Sequence, residues 1–191
     1  EGTGVGRSRE ARVPAVLEML GIPYSGSDPL TLAATLDKDC AKRLVQSAGL
    51  KTAKWLAIET RDERRTTKDG LLGGESARQF ELAGIEFPLF VKPAYEGSSK
   101  GVGDKSLVDS LEELTAAVTE LRARYEQPIL VEEFIGGDEF TVGVVGNDPP
   151  RVLGIMRVAP AQPADRFVYS IEAKRDWKRL IHYETPPRIP V

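Results

Sequence analysis

The 191 residues are 41% hydrophobic and carry 26 basic and 29 acidic side chains, for a net charge of −3. That length and apolar fraction suffice to bury a core in one domain or two small ones; the slightly acidic balance offers no field for nucleic acid, and no apolar run approaches bilayer length. One cysteine, Cys40, excludes an internal disulfide framework, the lone His182 cannot by itself build a histidine metal site or triad, and no signal peptide is visible, so a cytoplasmic globular protein is expected.

In chain order, Val13, Val16, Leu17 and Leu20 recur at helical spacing, with Ser8 as N-cap and Gly21 as the stop. Asp28-Pro29 is a cap followed by proline at the first helical position and predicts a short helix. A further helix is predicted from about Asp37 to Ala48, with Leu36, Cys40, Leu44, Val45 and Ala48 on one face. Lys38 falls in its first turn, where the helix dipole disfavours a cation; it either reaches solvent or meets an anion. Trp55–Ile58 reads as a strand, residues 59–74 as a long polar loop, and Glu75–Ala83 as a short helix.

The stretch FPLFVKPAYEGSSKGVG, Phe87 to Gly103, follows. Its apolar run Leu89–Val91 is a strand, and Lys92 ends it with a cation whose stem packs on apolar neighbours while its ammonium points outward, as suits a lysine meeting an anion. The Gly97–Gly103 loop, with three glycines and two serines, lets backbone N–H groups approach an oxygen-rich anion closely. An ordinary hairpin loop with a solvated lysine is an equal alternative on the loop alone. It is not a Walker A loop, because no Gly-Lys-Ser/Thr stands at the required spacing.

Ser110-Leu-Glu-Glu113 is a capping box ahead of Leu114, Ala117, Val118 and Leu121. Ile129–Phe134 is a strand ending in two carboxylates. Gly136-Gly137 turns the chain into a strand from Glu139 to Val145, and Asn147–Pro150 closes a hairpin into Val152–Val158. Val168–Lys174 reads as a last strand. Three lysines, Lys38, Lys92 and Lys174, are thus placed at element ends around one glycine-serine loop, where they could converge on a polyphosphate; each alone reads as solvated. Glu132 to Ile135, before Gly-Gly, has the look of an interdomain hinge with backbone groups free to pair with a planar base.

The ordered blocks LGIPYSGSDPLTLAATLDKDCAKRL, FPLFVKPAYEGSSKGVG, ILVEEFIGGDEFTVGVVGN and IEAK resemble the ATP-grasp enzymes, and within them the D-alanine–D-alanine ligases and close ligase-like relatives. The resemblance implies an α+β ATP-grasp fold. Residues 1–30 would be a remnant of a preceding domain, 31–135 the central subdomain, and 136–191 the start of a truncated C-terminal subdomain. It implies a carboxylate–amine ligase that phosphorylates a carboxylate from ATP before an amine attacks the acylphosphate, forming a dipeptide for peptidoglycan. The alternatives are a non-catalytic ATP- or ADP-binding module and a paralogue joining another carboxylate and amine.

By the same resemblance, Lys38 and Lys92 contact the ATP phosphates and Lys174 lies near the γ-phosphoryl. Glu96, Gly97, Ser98 and Ser99 belong to a mobile loop that closes over the phosphates and orients substrate. Glu132, Glu133 and Ile135 read the adenine with Phe134 packed beside them, and Glu139 accepts from the ribose hydroxyls. Magnesium is implied for the complete enzyme, with its ligands beyond Pro190, so the chain alone is expected to bind nucleotide weakly and turn nothing over. Amino acids such as D-alanine are the implied small-molecule substrates, and the resemblance allows a homodimer. After IEAK this chain places Arg175 where the D-alanine ligases commonly place a tyrosine, which favours a ligase-like relative.

Overall fold

The computed structural model describes residues 6–59 and 84–188. The loop and helix expected within 60–83 lie outside the described residues. Two compact units divide the chain, residues 1–134 and 135–191.

In the first unit, α1 (Arg12–Met19) follows a 3-10 turn, Arg9–Ala11, so the helix starts later than the sequence suggests, and the Ser8 side chain caps nothing. Gly21, at φ +65°, does end that helical segment. Its apolar stripe is not covered: Val13, Val16 and Leu20 are all exposed. Helix α2 (Pro29–Leu36) begins as predicted, the Asp28 carboxylate accepting from the Thr31 amide at 2.8 Å. Asp37 closes α2 and caps α3 (Lys38–Ser47), accepting from the Cys40 amide at 3.1 Å.

Four antiparallel strands follow: β1 (Trp55–Ile58), β2 (Leu89–Pro93), β3 (Leu107–Val108) and β4 (Ile129–Glu133), ordered β1-β4-β2-β3. Helix α4 (Leu111–Tyr125) lies between β3 and β4 in sequence. Its Ser110 cap accepts from the Glu113 amide at 3.2 Å, and Glu113 reaches back to the Asp109 amide at 2.8 Å, one residue before the cap.

Because successive strand residues face opposite ways, this sheet has two chemically different faces. Leu89 and Val91 of β2, with Ile129 and Val131 of β4, meet Leu114, Ala117, Val118 and Leu121 of α4 in the core. The opposite face carries Phe90 and Lys92 from β2, Leu130 and Glu132 from β4 and Trp55 from β1; the register pairs Lys92 with Leu130, and Glu132 with both Phe90 and Trp55.

The second unit is a three-stranded antiparallel sheet, β5 (Glu139–Val145), β6 (Arg151–Pro160) and β7 (Ile181–Glu184). The 168–174 segment is not a strand. Ser170 caps a short helix, α5 (Ile171–Arg175), by accepting from the Ala173 amide at 3.2 Å, and α6 (Trp177–Leu180) leads directly into β7. Glu172, Ala173 and Lys174 are good helix formers, and a capping serine outweighs the apolar residues preceding them. Val158, Ala173 and Ile181 form this unit's core. No helix among the described residues is long and apolar enough to cross a membrane.

Candidate functional site

The non-core face of the first sheet gathers charge. Lys92 ends the apolar part of β2 with its ammonium paired to Glu132 Oε1 and 5.5 Å from the Phe90 ring centroid. It meets an anion, as its position suggests, but one supplied by the fold. The second oxygen of Glu132 lies 2.8 Å from Lys42 Nζ, one turn beyond Lys38 on α3. Lys42 is itself held by the Thr52 hydroxyl at 2.8 Å and sits 5.1 Å from the Trp55 ring centroid. Burial alone would push the Glu132 carboxyl up; Lys92 and Lys42 hold it below the ordinary carboxylate range. Glu132 therefore bridges two lysines.

Lys38 is turned inward rather than out to solvent. Its backbone N–H donates to the Ala94 carbonyl at 3.1 Å, and its ammonium donates to the carbonyls of Ala94 (3.5 Å) and Glu96. Burial first and Lys92 second pull its pKa down to about 8, with Glu96 and Glu132 opposing. Lys38 and Lys92 thus stand close enough to repel one another, a pairing that favours any multiply charged anion placed between them.

The glycine-serine loop leaves β2 from a fixed base. Arg9, 6% exposed, donates to the Tyr95 carbonyl at 2.7 Å and to Glu96 Oε2 at 3.2 Å. Gln127 donates to Glu96 Oε1 at 2.9 Å and accepts from the Tyr95 amide at 2.6 Å. Glu96 is consequently anchored, while the tight turn comes after it: the Lys100 amide donates to the Gly97 carbonyl and the Val102 amide to the Ser99 carbonyl, both at 3.0 Å. Ser98 and Ser99 occupy the left-handed region, φ 51° and 58°, an arrangement that non-glycine residues adopt at some cost.

At the end of β4, the Glu133 amide donates to the Lys54 carbonyl and the Phe134 amide to the Pro88 carbonyl, each at 3.0 Å, so these two backbone donors, expected to be free for a base, are already paired. The Glu133 carboxylate lies 3.5 Å from Lys54 Nζ, the Phe134 ring packs 6.3 Å from that of Phe90, and Ile135 is exposed. In the second unit, Lys174 stands on α5 rather than at a strand end, its ammonium 4.8 Å from the Tyr169 ring centroid. Glu139 opens β5; although the residue is exposed as a whole, neighbouring protein pushes its carboxyl up, and Lys174 pulls the other way. Tyr169, hydrogen-bonded to Tyr183 at 2.6 Å, is pushed up to about 12, by burial first and by that bond second.

The structure therefore brings Lys38, Lys92, Glu96 and Glu132 together in one unit, and Glu139 and Lys174 in the other. Two further residues, Lys42 and Arg9, take part in these contacts. Lys42 carried a readable signal, since four residues beyond Lys38 is the same helix face. Arg9 carried none, being 86 residues from the Tyr95 carbonyl it holds. Among the described residues, no group of three His, Cys, Asp or Glu side chains could hold a metal ion.

A family model described as "D-ala D-ala ligase C-terminus" matches residues 44–190. The D-alanine–D-alanine ligase of Desulforudis audaxviator is 34% identical over 181 residues, covering 95% of this chain and 53% of the relative. That of Bacillus pumilus is 37% identical over 151 residues, covering 79% of this chain and 39% of the relative. Among solved structures, the VanG D-Ala:D-Ser ligase from Enterococcus faecalis superposes with a TM-score of 0.70 at 26% identity, covering 95% of this chain and 47% of that one. The Bacillus anthracis D-alanine–D-alanine ligase complexed with ATP gives 0.61 at 25%, covering 98% and 52%. This chain spans about half the length of the relatives it matches.

Proposed function

From its membership of the D-alanine–D-alanine ligase C-terminal family, to which this chain belongs, we propose that it is the nucleotide-gripping part of an ATP-dependent ligase that joins D-alanine to a second amino acid. The observation that carries this reading is the charged face of the first sheet, where Lys38 and Lys92 stand together beside the glycine-serine loop. ATP would lay its phosphates along that face. Lys92 and Lys38 would offset their charge, and the amides of Gly97 to Ser99 would close over them from the base fixed by Arg9 and Gln127. Phe134 would pack beside the adenine.

The protein's contribution to such chemistry is placement and charge stabilisation: an acylphosphate forms only if carboxylate and γ-phosphoryl are held in line, and the amine's attack needs water excluded. Magnesium would offset phosphate charge in chemistry of this kind, but among the described residues no group of three His, Cys, Asp or Glu side chains could hold it.

A chimera in which this chain replaces the matching half of the Desulforudis audaxviator ligase tests the reading. Phosphate release from ATP that requires D-alanine is the expected result. Release that ignores the amino acid, or a folded chimera that binds ATP and releases nothing, would contradict it.

A further inference from the structure

Lys92 has one ammonium and, in this reading, two claimants. In the free protein it is paired with Glu132 Oε1, the two side chains being 20% and 12% exposed. A phosphate arriving at Lys92 competes with that carboxylate, and a buried carboxylate left without a cation is strongly unfavourable. A second cation is already in place. Lys42 Nζ lies 2.8 Å from the other Glu132 oxygen, and its side chain is 13% exposed. The Thr52 hydroxyl and the Trp55 ring, both parts of the fold, hold it there.

We propose that Lys42 is a positioning residue of the nucleotide site: it stays on Glu132 and keeps that carboxylate paired when Lys92 leaves it for a phosphate. The inference rests on the nucleotide reading given above. Among the described residues, the charged groups facing Glu132 are Lys92 from β2 and Lys42 and Lys38 from α3, with Arg9 and Glu96 beside Lys38. Its cross-strand neighbours Phe90 and Trp55 are uncharged. Lys38, like Lys92, turns to the phosphates in the nucleotide reading, so Lys42 is the described cation whose contact with Glu132 can outlast phosphate binding.

A mere packing role for Lys42 would weaken binding equally at every pH. The positioning role makes a different demand: without Lys42, Glu132 must take up a proton as Lys92 departs. The test is calorimetric titration of ADP into the parent protein, Lys42→Met, Lys42→Gln, Lys42→Arg and the double variant Lys42→Met/Glu132→Gln. Measurements at about pH 6 and about pH 7.5, in buffers of different ionisation enthalpy, count the protons taken up. Lys42→Gln keeps a donor for Thr52 and carries the test should Lys42→Met not fold.

The Met and Gln variants are expected to bind roughly tenfold or more weakly at the higher pH. They should recover at the lower pH and take up additional proton relative to the parent. Lys42→Arg should behave as the parent does, and the double variant should lose the additional uptake. Parent-like affinity and proton count in the Met or Gln variant, or an equal loss at both pH values without proton uptake, overturns the inference while leaving the nucleotide reading intact. Failure of the parent itself to bind ADP overturns both.

Discussion

At the scale of the residue, Lys38 shows how burial turns an ordinary lysine into a pH-dependent one. Its pKa falls from the ordinary 10.5 to about 8, first through burial and then through Lys92. Between those values the unfolded chain holds a proton that the folded chain lacks, so stability without ligand rises with pH across that window. The cost of burying the charge is fully present below pH 8. A bound polyphosphate favours the charged form and reverses the balance. Nucleotide binding should therefore take up a proton above about pH 8, and affinity should decline as pH rises from there towards 10. Lys38→Met should bind more weakly at neutral pH and show a flatter decline. Affinities of parent and variant measured across that range check this; equal slopes would mean that Lys38 does not meet the phosphates.

At the scale of the element, the loop after β2 is built around one close approach. Gly101 has φ +75°, and a Cβ there would stand 2.5 Å from Pro93 Cγ and 3.1 Å from Tyr125 Cε2. Pro93 is buried in β2 and cannot yield easily. Gly101→Ala should accordingly destabilise the protein by about 1–3 kcal/mol, from strain and overpacking together. Urea unfolding is the measurement, and an unchanged midpoint would show that the loop relaxes freely. Elements whose cause is local were legible in the sequence. Asp28-Pro29 and Ser110 start their helices because the capping oxygen lies within three residues of the amide it satisfies. The segment at Ser170 is a helix where its apolar lead-in, Val168 and Tyr169, predicts a strand, because the same cap chemistry outweighs that lead-in. The Lys92–Glu132 pair is 40 residues apart in sequence and arises only from the β2–β4 register, which no local pattern specifies.

At the scale of the molecule, hydrophobic periodicity identified residues that share a face without saying what covers it. Leu114, Ala117, Val118 and Leu121 are buried, as their spacing suggests, yet the equally regular Val13, Val16 and Leu20 are exposed. In the β5–β6 hairpin, Val142, Val144 and Val152 are exposed as well. The first sheet is where pattern and function coincide: its alternation sends one set of residues into the α4 core and the other to a charged surface. Lys92 stands on that charged surface, where nucleotide binding can be measured. The measurement is calorimetric titration of ATP into the parent protein and Lys92→Ala under conditions where both are folded. The account predicts that the parent binds ATP and that the variant loses about 1–3 kcal/mol of binding free energy, the scale of a charge-assisted contact. Equal ATP affinity in the two proteins would contradict it.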